Sequence, residues 1–317
     1  MSKSEAFANR LRKNARHWDK WADRQGLSCY RIYDRDLHEF PLAIDRYGAH
    51  VHLQEYATDW AAGEREYQDW REDCLRVVKT ILELPHKYIH FKQRRRQRGL
   101  EQYEKTGHSG EDFVVEEQGL KFWVNLDAYL DTGLFLDHRN TRRLVRERAA
   151  GQRFLNLFAY TGSFSVYAAA GGAPVSITVD MSNTYQDWSR RNFALNGLDP
   201  AAHRLVRADV FQFLEDAASA QAQYDLIVMD PPSFSNSKRM EGVLDVQRDH
   251  VRLIEGCLRL LAPGGELFFS NNRRGFRLDA AALAGCDIRD ISRQTVPEDF
   301  SNKKIHQCWI IRHGVRP

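Results

Sequence analysis

The stretch Asp225-Leu226-Ile227-Val228-Met229-Asp230-Pro231-Pro232-Ser233-Phe234 holds a short apolar strand and the turn that leaves it. Its centre, Leu226–Met229, is strand-sized and ends at a polar residue. The two prolines remove two backbone donors and stiffen the turn. The Asp230 side chain and the Pro231 carbonyl are therefore expected to stay directed away from the strand end. In an open parallel sheet, ligands bind at the carboxyl ends of the strands, so Asp230 is a candidate for contact with a ligand.

Outward from this stretch, short apolar segments alternate with helical ones. Phe154–Phe158 precedes Phe164–Ala170, Val175–Val179 precedes Thr184–Asn196, and Arg204–Ala208 precedes Val210–Ala218. Asp225–Met229 is followed by Val246–Leu261 and then Glu266–Ser270. Such alternation predicts a mostly parallel sheet covered by helices on both faces, an α/β fold. Ile288–Arg293 and Ile305–Arg312 have no helical stretch between them and are expected to pair as an antiparallel hairpin at the sheet edge. Residues 1–125 have a different texture and are predicted to form a smaller α+β domain, leaving 126–317 as the α/β domain. In the first part, a basic amphipathic helix reaches Trp21 and closes at Gly26. Strands follow at Tyr30–Tyr33, Leu42–Ile44 and Val51–Tyr56, a helix at Glu64–Leu84, a strand at Tyr88–Phe91, and a hairpin from Phe113–Val115 and Leu120–Val124.

The ends of the other parallel strands carry matching signals. After the first come Asn156-Leu157-Phe158-Ala159-Tyr160-Thr161-Gly162, a small turn whose glycine lets the backbone approach a ligand closely. An ordinary strand-to-helix turn would look similar. The second strand ends at Asp180, followed by Met181 and the expected helix cap Ser182. An acid there is placed to accept hydrogen bonds from ribose hydroxyls, a pairing that also suits dinucleotide-binding dehydrogenases. Asp209 ends the third strand and can accept from an adenine amino group, cap the next helix, or do both. Dehydrogenases have no use for Asp-Pro-Pro-Ser at the fourth strand.

Composition limits the alternatives. The 317 residues are 43% hydrophobic and 11% aromatic, enough for packed cores, and no apolar run approaches the roughly 20 residues needed to span a bilayer. The charged N-terminus has no apolar signal-peptide core. Five scattered cysteines form no C-x-x-C pair, so neither a zinc site nor a disulfide framework is expected, and reduced thiols in the cytoplasm are. The net charge of +3 is unevenly spread. Residues 1–20 carry +4 and residues 87–105 carry +5, leaving −6 for the rest. Arg10, Arg12, Lys13 and Arg16, the run Arg94-Arg95-Arg96-Gln97-Arg98, and Lys238-Arg239 are therefore candidate contacts to a polyanion. A solvated basic face is the bland alternative.

Asp-Pro-Pro-Ser resembles the D/N-P-P-Y/F/S signature of amino-group methyltransferases acting on nucleic acids and proteins. Asp131-Thr132-Gly133-Leu134-Phe135-Leu136-Asp137-His138-Arg139, the NLFAYTG turn, DPPSFSNSKRM and Ser270-Asn271-Asn272 together resemble bacterial 23S rRNA large-subunit methyltransferases. The resemblance runs from Phe7-Ala8-Asn9-Arg10 and Cys29-Tyr30-Arg31 to His306-Gln307-Cys308-Trp309, over essentially the whole chain. Within that family it is to the C-terminal, guanine-N(7) half of the enzymes that also methylate guanine-N(2). It implies a class I, Rossmann-like fold, the cofactor S-adenosylmethionine (AdoMet), and 23S rRNA not yet in the finished ribosome as partner. It also leaves room for a separate guanine-N(2) methyltransferase protein as a second partner. Carried over by residue, Phe135, Asp137 and Arg139 would close over AdoMet, joined by Asn156, Phe158, Tyr160, Thr161, Gly162, Asp180, Met181, Ser182, Asp209 and Asp230. Asp230 and Pro231 would hold the base edge and Phe234 would stack on it, although Phe234 could equally be a hydrophobic plug. A sister branch methylates carbon-5 of cytosine with a cysteine thiolate, but Ser270-Asn271-Asn272 stands at that place here. Guanine-N(7) is thus the expected target. The alternatives are an exocyclic amine of guanine or adenine, carbon-5 of cytosine, or an inactive RNA-binding protein.

Overall fold

The computed structural model describes residues 2–56, 63–94, 110–129, 131–235 and 243–314. The chain divides into two compact units, Met1–Thr132 with Glu298–Asn302, and Gly133–Pro297 with Lys303–Pro317.

In the first unit, helix α1 (Lys3–Gln25) starts with a capping box between Ser2 and Glu5 and ends at Gly26, whose φ of 65° is the left-handed conformation. Strands β1 (Cys29–Asp34), β2 (Leu42–Tyr47) and β3 (His50–Tyr56) are antiparallel neighbours. Helix α2 (Glu64–Leu82) then crosses over, so that β4 (Ile89–Arg94) lies parallel to β3. Strands β5 (Phe113–Glu117) and β6 (Leu120–Val124) form the expected hairpin. Phe7, Leu11, Ala15 and Ala22 of α1 recur at helical spacing and pack with Ile32, Ile44, Leu53 and Val78 in one core.

The boundary at Thr132 lies beyond the expected 125 because residues 125–132 are tied into the first unit. Asn125 donates its N–H to the Thr132 carbonyl, its side-chain oxygen accepts the N–H groups of Asp127 and Ala128, and Lys92 reaches the Tyr129 carbonyl. The segment 298–302 belongs here through Arg31, which is buried on β1. The Arg31 N–H donates to Asp299, and its guanidinium pairs with Asp45 and lies 4.1 Å over the Phe300 ring. Asp34 accepts the N–H groups of Ser301 and Asn302.

The second unit opens with α3 (Arg139–Arg146) and continues through β7 (Arg153–Leu157), α4 (Ser163–Ala170), β8 (Val175–Val179) and α5 (Asn183–Leu195). Next come β9 (His203–Val206), α6 (Val210–Ser219), β10 (Tyr224–Met229), the short pair β11 (Phe234–Ser235) and β12 (Leu244–Asp245), and α7 (Val246–Leu260). Strand β13 (Leu261–Asn271), β14 (Cys286–Asp290), the short helix α8 (Ser292–Thr295) and β15 (Gln307–His313) complete it. The sheet order is β14-β15-β13-β10-β7-β8-β9. The reversed strand is β15, antiparallel to both β13 and β14, so it stands one place in from the edge. α8 ends the Ile288–Arg293 segment earlier than the sequence predicts, and α3 was not expected at all. Side chains alternate across the sheet. Leu155, Leu157, Ile227, Met229, Leu267 and Phe269 pack under α6 and α7, while Phe154, Leu226, Val228 and Phe268 pack under α3 and α4. This is the burial on both faces that a parallel sheet requires.

Candidate active site

Five parallel strands reach one edge in register. Met229 of β10 pairs with Phe269 of β13 and Leu157 of β7, Leu157 pairs with Val179 of β8, and Val179 pairs with Val206 of β9. The residues that follow therefore share one edge, with Ser270, Asp230, Phe158 and Asp180 on successive strands. At about 4.8 Å per strand, Asp230 and Asp180 are roughly 10 Å apart along that edge. The chain switches direction between β7 and β10, where open α/β sheets bind ligands.

The β7 turn is tightly built. Phe158, Tyr160 and Gly162 have φ of 54°, 52° and 73°. A Cβ on Gly162 would meet Phe193 and Ser189 at 3.0 Å, so glycine is required by both conformation and space. The turn's carbonyls are taken by α5, with Ser189 donating to Tyr160 and Asn192 to Thr161. The segment entering the unit docks on the same turn. Gly133 donates its N–H to the Tyr160 hydroxyl at 2.8 Å and accepts from Thr161 at 2.6 Å. Phe135, 39% exposed, lies against the Tyr160 ring at 4.9 Å. Asn156 is buried and gives its amide to Ser165, which is bonded in turn to Thr178.

Asp180 accepts the N–H of Tyr160 at 2.9 Å and that of Ser182 at 2.8 Å. Burial outweighs these bonds and pushes its pKa up to about 6. Ser182 caps α5 as expected, and Met181 between them is half-buried. Asp209 caps α6, with one carboxylate oxygen accepting from Phe211 and Gln212. The capping role is thus present and uses only one of the two oxygens.

Asp230 is held on both oxygens. Ser270 donates to Oδ1 at 2.7 Å, and His138 Nε2 lies 3.4 Å from Oδ2. Pro231 is buried behind it, Ser233 donates to Asn272, and Phe234 is 49% exposed. Phe234 is therefore an open ring at the strand edge rather than a core plug. Arg139 is buried at the start of α3. Asp137 accepts from His306 Nδ1 at 3.1 Å.

His138 and His306 carry no strand-end or turn signal in the sequence, although one stands between Asp137 and Arg139 and the other before Gln307-Cys308-Trp309. Asp137, His138 and His306 come close enough to suggest a metal site. Their geometry opposes one. The imidazoles are stacked at 4.3 Å and 9° from parallel, whereas a shared ion would have to lie in the plane of both rings.

Of the candidate polyanion contacts, Arg10, Arg12, Lys13 and Arg16 are exposed on α1. Arg95, Arg96, Arg98, Lys238 and Arg239 lie outside the described residues, as does the Arg94 side chain. No helix among the described residues is long and apolar enough to cross a membrane.

Comparison with known proteins gives the family. The family described as S-adenosylmethionine-dependent methyltransferase matches residues 86–302. Ribosomal RNA large subunit methyltransferase K of Neisseria meningitidis serogroup B is 60% identical over 97% of this chain and 87% of its own length. Ribosomal RNA large subunit methyltransferase K/L of Chromohalobacter salexigens is 53% identical over 98% of this chain, which spans only 42% of that protein. The solved structure of SMU.776 in complex with SAH superposes with a TM-score of 0.79 at 26% identity, over 98% of this chain and 82% of its own.

Proposed function

This chain belongs to the S-adenosylmethionine-dependent methyltransferase family, and we propose that it methylates N(7) of a guanine in 23S rRNA. AdoMet is its cofactor. The edge suits AdoMet chemically, because Asp180 is an undercompensated carboxylate that no cation pairs among the described residues. Asp180 would accept two ribose hydroxyls and Asp209 the adenine amine. Phe135, Asp137, Arg139, Asn156, Phe158, Tyr160, Thr161, Gly162, Met181 and Ser182 would complete the pocket, and Asn156 would act from behind through Ser165.

AdoMet supplies an electrophilic methyl group on a sulfonium. Guanine-N(7) offers an in-plane lone pair and carries no proton, so the protein need not provide a general base. Asp230 and Pro231 would hold the base edge. As the purine gains positive charge, the Asp230 carboxylate would stabilise it. Phe234 would stack on the base, an interaction worth roughly 1–3 kcal/mol, and orientation can contribute roughly 7–11 kcal/mol.

The carrying observation is that Asp230 is fixed at the strand edge while no thiol is available beside it. Cys257 and Cys308 are buried, and burial drives both thiols far above their ordinary pKa. Cytosine carbon-5 chemistry would need a thiolate. Cys257→Ser and Cys308→Ser are expected to retain methyl transfer. Loss of product with AdoMet binding intact in either variant would restore a covalent pyrimidine mechanism. An exocyclic amine is the second reading, since Asp230 could accept its N–H. Nucleoside mass spectrometry of 23S rRNA from a strain lacking this protein separates the products, and loss of 7-methylguanosine is the expected result.

On this reading the protein works in the cytoplasm on 23S rRNA before the ribosome is finished, with guanine-N(2) methylation left to a separate protein. The first unit would serve RNA docking and the second catalysis. Arg12, Lys13 and Arg16, with Arg10 and the Arg94–Arg98 and Lys238-Arg239 runs, would contact phosphates. Each contact contributes about −0.7 to the log–log salt slope for single-stranded RNA. Arg12→Ala/Lys13→Ala/Arg16→Ala is expected to flatten that slope by roughly two units and leave AdoMet affinity unchanged. An unaltered slope would make α1 a solvated face.

A further inference from the structure

Two buried histidines stand behind Asp230. His138 is 5% exposed and His306 is 1% exposed. His306 is anchored at both nitrogens, Nδ1 to Asp137 Oδ2 at 3.1 Å and Nε2 to Thr295 Oγ1 at 3.0 Å. His138 lies flat on that anchored ring, and its other neighbour is the Phe164 ring, edge-on at 5.8 Å. The charged and titratable groups facing His138 are Asp230, His306, Asp137 and Arg142. Arg142 donates to the Phe135 carbonyl.

The position of the proton follows from this environment. Burial lowers the His138 pKa, which favours the neutral ring with a single N–H. Nδ1 is buried without a hydrogen-bond partner, and Nε2 faces Asp230 Oδ2 at 3.4 Å and Asp137 Oδ2 at 3.9 Å. A proton on Nδ1 would bury an unpaired donor and set the Nε2 lone pair against a carboxylate. A proton on Nε2 leaves only an unpaired acceptor at Nδ1 and gives Asp230 a donor. The second tautomer avoids the repulsion. His138 and Ser270 then hold the two oxygens of one carboxylate, each from a side chain fixed by its own packing.

We propose that His138 is the positioning residue of the methyl-transfer site, donating Nε2–H to Asp230 so that its carboxylate stays aimed at the substrate base. His306, Asp137 and Thr295 fix the ring. The proposal rests on the catalytic reading of Asp230 given above, but it adds a residue that touches neither substrate nor cofactor. It predicts that removal of the donor slows transfer and leaves AdoMet binding alone.

The test is single-turnover methylation of purified 23S rRNA by the full chain, alongside AdoMet titration. A hydrogen bond to a charged group corresponds to about 10- to 100-fold in rate. His138→Leu is expected to lower the rate by that factor and to leave AdoMet affinity within about twofold. His138→Gln, whose amide nitrogen reaches the place of Nε2, should recover most of the rate. In an Asp230→Asn background, His138→Leu should cost little more, since the two residues act together. If the leucine variant does not fold, His138→Asn replaces it, because its shorter amide ends near Nδ1 and cannot reach Asp230. A folded leucine or asparagine variant with the wild-type rate, or a glutamine variant no faster than the leucine one, would overturn the proposal. So would equal losses of rate and AdoMet affinity, which would make His138 a support of the cofactor pocket. If the wild-type protein gave no 7-methylguanosine but methylated another position, the guanine-N(7) reading would fail, and the His138 comparison would be made on that product.

Discussion

Asp180→Ala is expected to weaken AdoMet binding by about 100-fold or more, from two charge-assisted hydrogen bonds at roughly 1.5–3 kcal/mol each. On the proposed reading, both ribose hydroxyls donate to this one carboxylate. Asp209→Ala should cost less, because Asp209 already commits one oxygen to the first turn of α6. The pKa of about 6 adds a pH signature. Below about pH 6 the free protein holds Asp180 protonated, and the ligand must then displace a proton to regain both acceptors. Affinity should therefore fall as pH drops through 6 and level off above 7. Calorimetry at pH 5 and pH 8 measures both effects. Asp180 also accepts the Tyr160 and Ser182 N–H groups, so melting of the ligand-free variant must be recorded alongside. Equal affinities of wild type and a folded Asp180→Ala protein would defeat the assignment.

The largest effect on stability is expected from Arg31→Ala in the first unit. The guanidinium reaches Asp45 through two bonds, at 2.7 and 3.0 Å, and lies 3.4 Å from Asp34. Asp45 and Asp34 are themselves buried. Removing one member of such a cluster leaves uncompensated buried charge and typically costs about 3–5 kcal/mol. Burial already raises the Asp45 pKa, and Arg31 is its main opposing influence. Without Arg31 that pKa rises further. Stability lost this way is least in acid, where Asp45 is protonated in folded and unfolded chains alike, and greatest once the pH exceeds the folded pKa. Denaturant unfolding at pH 5 and pH 8 should therefore show the smaller deficit at pH 5. A loss under about 1 kcal/mol at both would mean that the cluster is more open to water than its burial indicates.

The parallel sheet was legible because its physics is local. Leu226, Val228, Ile227 and Met229 must be covered on both faces, and Asp-Pro-Pro can only follow such a strand as a stiff turn. Helix α3 was not legible for the opposite reason. Its sequence RNTRRLVR holds four arginines and no apolar stripe, yet Arg139 and Arg142 are buried. Periodicity arguments assume that the buried positions are apolar. Strand β13 begins at Leu261 rather than Glu266 because Pro263-Gly264-Gly265 reads as a loop, although Leu261 already pairs with Tyr224. At the candidate site, Asp180 and Asp230 could be read from strand ends alone. His138 and His306 could not be joined, since their stacking depends on chain closure across most of the second unit.

The placement of Glu298–Asn302 in the first unit bears on synthesis. A chain grows from its N-terminus at about 5–20 residues per second. After Thr132 has been added, 165 residues intervene before Glu298, a wait of roughly 8–33 s. During that interval β1 and β2 already carry Arg31, Asp34 and Asp45, but Asp299 and the Phe300 ring have not been made. The nascent first unit is therefore a vessel without its stopper, and the last step of its folding is clocked by translation of the methyltransferase unit. A chain truncated before Glu298 would keep the Arg31 cluster open to water, marking it for proteolysis.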